Sequence, residues 1–152
     1  LIPERHAAKG DEHLRMLDKI DRGCSFFVTQ CVYDTGSSKN LLSDYYYASR
    51  DAGKPMVPVI FTLTVCGSRQ TLDFMKWLGI SVPRWLENDL VHSGDILSES
   101  LDICRNVARE LCAFCAERGI PWGINVESVS IRKLEIEASL ELARDMRKIL
   151  GK

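Results

Sequence analysis

Two stretches decide the fold: Cys24-Ser25-Phe26-Phe27-Val28-Thr29-Gln30 and Pro55-Met56-Val57-Pro58-Val59-Ile60-Phe61-Thr62-Leu63-Thr64-Val65. Each is a run of aromatic and β-branched residues without strict polar alternation, the pattern of a strand buried on both faces of a parallel sheet. Between them LLSDYYYASRDAG, residues 41–53, reads as a helix closed by Gly53. A strand, a helix and a second strand make one parallel unit, because a parallel connection needs a dozen or more residues.

The same rhythm extends both ways. Upstream, GDEHLRMLDKIDRG (10–23) predicts a helix with Leu14, Leu17 and Ile20 on one face, and Leu1–Ile2 reads as the end of a further strand. VYDTGSSKN (32–40) is a loop by composition. Downstream come a helix in SRQTLDFMKWLG (68–79), a proline-bounded turn in ISVPRWLENDL (80–90) and a long helix ending at Gly119. A strand in WGINVES (122–128) and a closing helix from Ile131 complete the chain. The fold class is α/β with parallel βα repeats. Neither a Gly-x-Gly-x-x-Gly segment nor a P-loop follows any strand, which argues against a nucleotide-binding open sheet. A complete (β/α)8 barrel takes about 250 residues. At most four strands fit in these 152 residues, so the pattern reaches one parallel α/β domain, either an open sheet or half of such a barrel.

Composition removes several classes of function. A hydrophobic share of 45% and a charged share of 27% suit a globular chain. A net charge of −1 announces no nucleic-acid partner, and no apolar run is long enough to span a bilayer. Three of the six cysteines, Cys104, Cys112 and Cys115, fall in the long helix. There Leu101, Cys104, Ala108, Leu111 and Cys115 share a face, so these thiols read as small core residues. The histidines His6, His13 and His92 stand far from them, and no metal is expected. Reduced thiols fit a cytoplasmic location.

In barrel-type sheets the working residues lie at C-terminal strand ends. Pro3-Glu4-Arg5-His6, Thr29-Gln30, Thr62 with Thr64, and Asn125, Glu127 and Ser128 occupy such places. Taken singly, each polar group has a structural reading; four rims converging on one place favour a site. Gln70 and Phe74, four residues apart, share a helix face. Trp77, Trp85 and Trp122 read as packing residues. Of Tyr45, Tyr46 and Tyr47, at least one must be exposed.

These motifs, in this order, resemble the methylenetetrahydrofolate reductase family. PERH resembles its Pro-Glu-x-His segment and FFVTQCVYD its strand ending Thr-Gln. VPVIFTLT followed by GSRQTLDFMKWLGISVP and RWL resembles its proline-rich strand, its helix with Gln and Phe four apart, and its Ile-Pro-x-Trp turn. The resemblance runs from Pro3 to about Arg132 and implies that residues 1–152 form a single domain, roughly the second half of a (β/α)8 TIM barrel with an N-terminal half upstream, from a protein that reduces 5,10-methylenetetrahydrofolate to 5-methyltetrahydrofolate with NAD(P)H. It implies folate contacts for Gln30, Gln70, Phe74 and, across a gap, Arg132. Phe74 would also meet the nicotinamide nucleotide. It implies flavin contacts for His6 and Lys19, with Glu12 standing where the family has a flavin-contacting aspartate. The family's acidic catalytic residues lie upstream of this chain.

The departures cluster at the flavin. Ile2 replaces a tyrosine, Glu12 replaces the aspartate, and the connection after His6 is about two residues short of the family's. The last strand reads INVESVSIRK instead of the family's aromatic-rich run. A protein without stoichiometric FAD, passing hydride directly from nicotinamide to folate, is the expectation. The alternatives are a related barrel acting on another pterin or one-carbon substrate, and a non-catalytic binding module. The expected partners are folate, a nicotinamide nucleotide, and either a second copy or the missing half-barrel.

Overall fold

The computed structural model describes residues 1–151. Among these, three strands and seven helices follow one another. Helices α1 (Pro3–Lys9) and α2 (Glu12–Asp21) lead into β1 (Phe27–Cys31), and α3 (Thr35–Asp51) connects it to β2 (Val59–Thr64). Three helices, α4 (Arg69–Trp77), α5 (Arg84–His92) and α6 (Ile96–Arg118), lead to β3 (Trp122–Glu127), and α7 (Lys133–Ile149) closes the chain. The sheet has the order β1-β2-β3 and both pairings are parallel.

β2 lies between the other two strands and in the core: Val59, Phe61 and Leu63 are at most 1% exposed. Their side is covered by the helices, with Tyr45 and Leu41 of α3 and Leu111 of α6 fully buried in the same core. The stripe expected on α6 is buried throughout, from Leu101 to Cys115, and its cysteines are free thiols. The other sheet face carries Val28, Gln30, Ile60 and Asn125, none of them fully buried. The Leu1 backbone lies beside β1, its N–H donating to Val28 O at 2.9 Å and its carbonyl accepting from Gln30 N at 2.8 Å. The Leu1–Ile2 stub thus sits where a further strand was expected, without being assigned as one.

Several local readings change. Pro3–His6, expected at a strand end, is the first turn of α1, since proline at N1 is preset for a helix. The polar run from Thr35 is helical because the Asp34 carboxylate accepts from Ser37 N and caps α3. The turn after Val82 becomes α5, which buries Leu86 and Leu90 at i and i+4. Helix α2 buries Met16 and Leu17, whereas Leu14 is exposed. Trp77 and Trp85 are not packing residues: they are 78% and 64% exposed on the outer sides of α4 and α5. Only Trp122 packs partly against the core. Tyr45 is buried and Tyr47 exposed, as the run of three required. No helix among the described residues is long and apolar enough to cross a membrane.

Candidate functional site

The site is built where β2 and β3 hand over to α4 and α7. Ser68 caps α4 by accepting from Thr71 N at 3.1 Å, which sets Gln70 in the first turn and Phe74 one turn later on the same face. Across from it, the segment leaving β3 runs through Val129, Ser130 and Ile131 to Arg132. Arg132 donates from its guanidinium to Gln70 Oε1. Gln70, Phe74, Val129, Ser130, Ile131 and Arg132 line one open pocket of about 230 Å³. Three of the four residues expected to meet folate therefore converge.

Glu135, which sequence reasoning did not single out, holds this junction together. It is 2% exposed. Its Oε1 accepts from Gly67 N and from Thr71 Oγ1, both at 2.7 Å. One carboxylate oxygen thus ties the start of α7 to the start of α4, and so Arg132 to Gln70. Gly67 is required here, since a Cβ on it would lie 2.5 Å from Glu135 Cγ. The only signal in the sequence was a glutamate in the first turn of a helix, which is too common a feature to mark a site. The loop is anchored from behind by Ser100 Oγ, which accepts from Cys66 N at 2.7 Å, and burial pushes the Cys66 thiol up to about 11.

Gln30 stands apart from the pocket lining but is tied to the same helix. Its Nε2 donates to the carbonyl of Leu78, just past the end of α4, at 3.2 Å. It sits at an irregularity: Val28 pairs with Ile60, yet Cys31 pairs with Thr62, so β1 holds one extra residue. The hydroxyl of Thr29 accepts from Thr62 N at 3.0 Å and replaces the lost backbone acceptor. Bulges of this kind re-aim a side chain at a strand end. Thr62, Thr64, Asn125 and Glu127, also candidates, mostly satisfy one another. Thr64 Oγ1 donates to Glu127 O at 2.7 Å, and Asn125 Nδ2 donates to Glu127 Oε1 at 2.7 Å.

Phe74, 43% exposed, stacks on Trp77 with centroids 5.8 Å apart and planes inclined by 18°. Together they present an aromatic surface beside the Gln70 carboxamide. The residues matched to flavin contacts behave differently. His6 is 4% exposed, and its Nε2 lies 2.8 Å from Asp44 Oδ2. Glu12 is buried with Arg15 3.4 Å away, and Lys19 is exposed farther along α2.

A sequence model of methylenetetrahydrofolate reductase matches residues 2–138. The chain belongs to the methylenetetrahydrofolate reductase family. A solved structure described as an uncharacterized protein from Clostridium thermocellum that binds two copies of 5-methyl-5,6,7,8-tetrahydrofolic acid is 58% identical, with a TM-score of 0.91. The match covers 97% of this chain and 52% of that one, so this chain spans about half the length of that solved neighbour. No curated protein matches the chain.

Proposed function

We propose that this chain contributes the folate-binding rim of a (β/α)8 barrel that reduces 5,10-methylenetetrahydrofolate with NAD(P)H. The observation that carries the reading is the Arg132–Gln70–Phe74 arrangement in one pocket. A pterin is a flat ring with hydrogen-bonding edges. Phe74 offers a face for the ring. Gln70 has its oxygen fixed by Arg132, which leaves its amide N–H groups to donate to the ligand. Arg132 keeps further guanidinium donors for the carboxylates of the glutamate tail. Gln30, outside the pocket lining, would offer its carboxamide oxygen as a further acceptor. Direct transfer needs both molecules bound at once, so the nicotinamide would lie over the pterin face that Phe74 leaves free, and the protein's part is to hold donor and acceptor in register.

The residues at the flavin positions do not fit FAD. The buried His6 ring is committed to Asp44, Glu12 is buried beside Arg15, and Ile2 offers no ring. The proposed reaction is therefore direct hydride transfer from NAD(P)H to the folate, in the cytoplasm.

A second reading has its own support. The solved neighbour is described as binding two copies of 5-methyltetrahydrofolate. A protein that takes two such folates, and nothing else, would be a folate-binding module. Calorimetry and turnover separate the two. Folate-dependent NAD(P)H oxidation by the intact protein, without a flavin absorbance band, supports the reductase. Two equivalents of 5-methyltetrahydrofolate bound with no oxidation supports the module. A stoichiometric flavin spectrum would overturn direct transfer.

A further inference from the structure

We infer that His6, His13 and Asp44 form a binding site for a borderline divalent transition-metal ion of the zinc class. The three come from different helices: His6 from α1, His13 from α2 and Asp44 from α3. One ligand-type atom from each lies within 4.8 Å of the other two. Thirty residues lie between His13 and Asp44, so no local motif marks the cluster. The folding of α1 and α2 onto α3 creates it.

Proximity alone is weak, but a second observation points to a ligand. The Nδ1 atoms of His6 and His13 are both buried and have no hydrogen-bond partner. A buried polar atom left unsatisfied is destabilising. Two such atoms on neighbouring rings, with centroids 5.3 Å apart and planes at 90°, compound the effect. An imidazole has two nitrogens, so a ring that ligates through one can donate through the other, and a bound ion reorganises both rings at once. Two imidazoles and one carboxylate are a ligand set that zinc and ferrous iron accept and that magnesium and calcium, which prefer all-oxygen shells, do not.

The geometry needs a modest adjustment. Tetrahedral zinc with bonds of about 2.0–2.1 Å wants its ligands about 3.3 Å apart. His6 and Asp44 are already at 2.8 Å. The exposed Asp44 and half-buried His13 are the groups free to move in, while His6 is the fixed one. An open cavity of about 310 Å³, lined by His6, Ala7, Asn40, Ser43 and Asp44, adjoins the cluster. A three-ligand set beside an open cavity has room for water or a small anion in the fourth position. This cavity shares no residue with the Gln70 pocket, so the site stands whether or not the folate reading does.

The test uses the full protein, stripped with chelator and titrated with zinc, cobalt and magnesium ions by calorimetry. One equivalent of zinc should bind, cobalt should give visible d–d bands, and magnesium should give no heat above the blank. His13→Ala and Asp44→Asn should each lower zinc affinity at least tenfold while leaving the chelated protein's melting curve unchanged. His6→Ala is the less useful variant because its ring is buried. Zinc binding of equal strength in His13→Ala and Asp44→Asn would overturn the site, as would zinc binding no tighter than magnesium.

Discussion

At the scale of single residues, the Arg132–Gln70 contact links a strand exit to a helix start, and its energetics are testable. Gln70→Ala and Arg132→Ala should each weaken 5-methyltetrahydrofolate binding by about 1–3 kcal/mol, roughly tenfold to a hundredfold. Because each group orients the other, the double variant should lose much less than the product of the two, a coupling a double-mutant cycle by calorimetry would reveal. Multiplicative losses would mean that the two residues act independently. Gly67 offers a second test. Its missing Cβ leaves room for Glu135, so Gly67→Ala should cost about 1–3 kcal/mol in urea unfolding. Gly94→Ala, where a Cβ meets nothing within 4 Å, should change little by comparison. Gln70, Phe74 and Arg132 were legible because spacing and motif order marked them. Glu135 was not, since its role depends on a contact with Gly67 across 68 residues of sequence. The His6–His13–Asp44 cluster was illegible for the same reason.

At the scale of elements, the helices and strands were mostly legible from periodicity, and the misses have separate causes. Thr35–Asn40 and Arg84–Leu90 looked like connections because they are polar or follow a proline. The first is a helix because Asp34 caps its start, a single residue that composition averages hide, whereas the second follows Pro83 without a side-chain cap and is held by the burial of Leu86 and Leu90. Leu14 was assigned to the buried face of α2, yet that helix packs on α3 through Met16 and Leu17, a choice made by the partner. The thiol stripe of α6 was correct and has a consequence with pH. Burial pushes Cys104 and Cys115 up to about 12 from an ordinary 9.0. Above about pH 9 the unfolded chain releases thiol protons that the folded chain retains, so unfolding gains free energy. The contribution is present in full below about pH 9 and drains away as pH rises toward about 12. Urea midpoints should therefore fall through that window. The fall should be shallower in a Cys104→Ala, Cys115→Ala variant, measured against its own midpoint at neutral pH. An equal slope in the two proteins would assign the loss to other groups, Tyr33 first, whose buried phenol is also raised well above its usual value.

At the scale of the whole molecule, the question is what covers the second face of the sheet. The helices cover one face, while Val28 on the other is 40% exposed and Gln30 and Ile60 are only half-buried. Elsewhere on the surface Phe26, Trp77, Trp85, Ile131 and Leu134 are between 53% and 97% exposed. Apolar surface removed from water contributes about 25 cal/mol per Å², and exposed patches of this kind mark interaction sites. β1, whose edge meets only the Leu1 backbone, and β3 are also the sheet's outer strands, open to further pairing. In a longer protein like the solved neighbour, of which this chain spans 52%, further βα units would meet both needs. These 152 residues expressed alone have neither, so they should meet them with a second copy. Light scattering should give a mass above the 17.2 kDa of one chain, rising with concentration. The same preparation should oxidise no NAD(P)H with folate, because the resemblance assigns the acidic catalytic groups to the other half of the barrel. Pairing two copies duplicates the Gln70 rim without supplying those groups, so association and inactivity are expected together. A monodisperse monomer would show that the uncovered face tolerates water unaided, and turnover by this chain alone would place the essential chemistry within it.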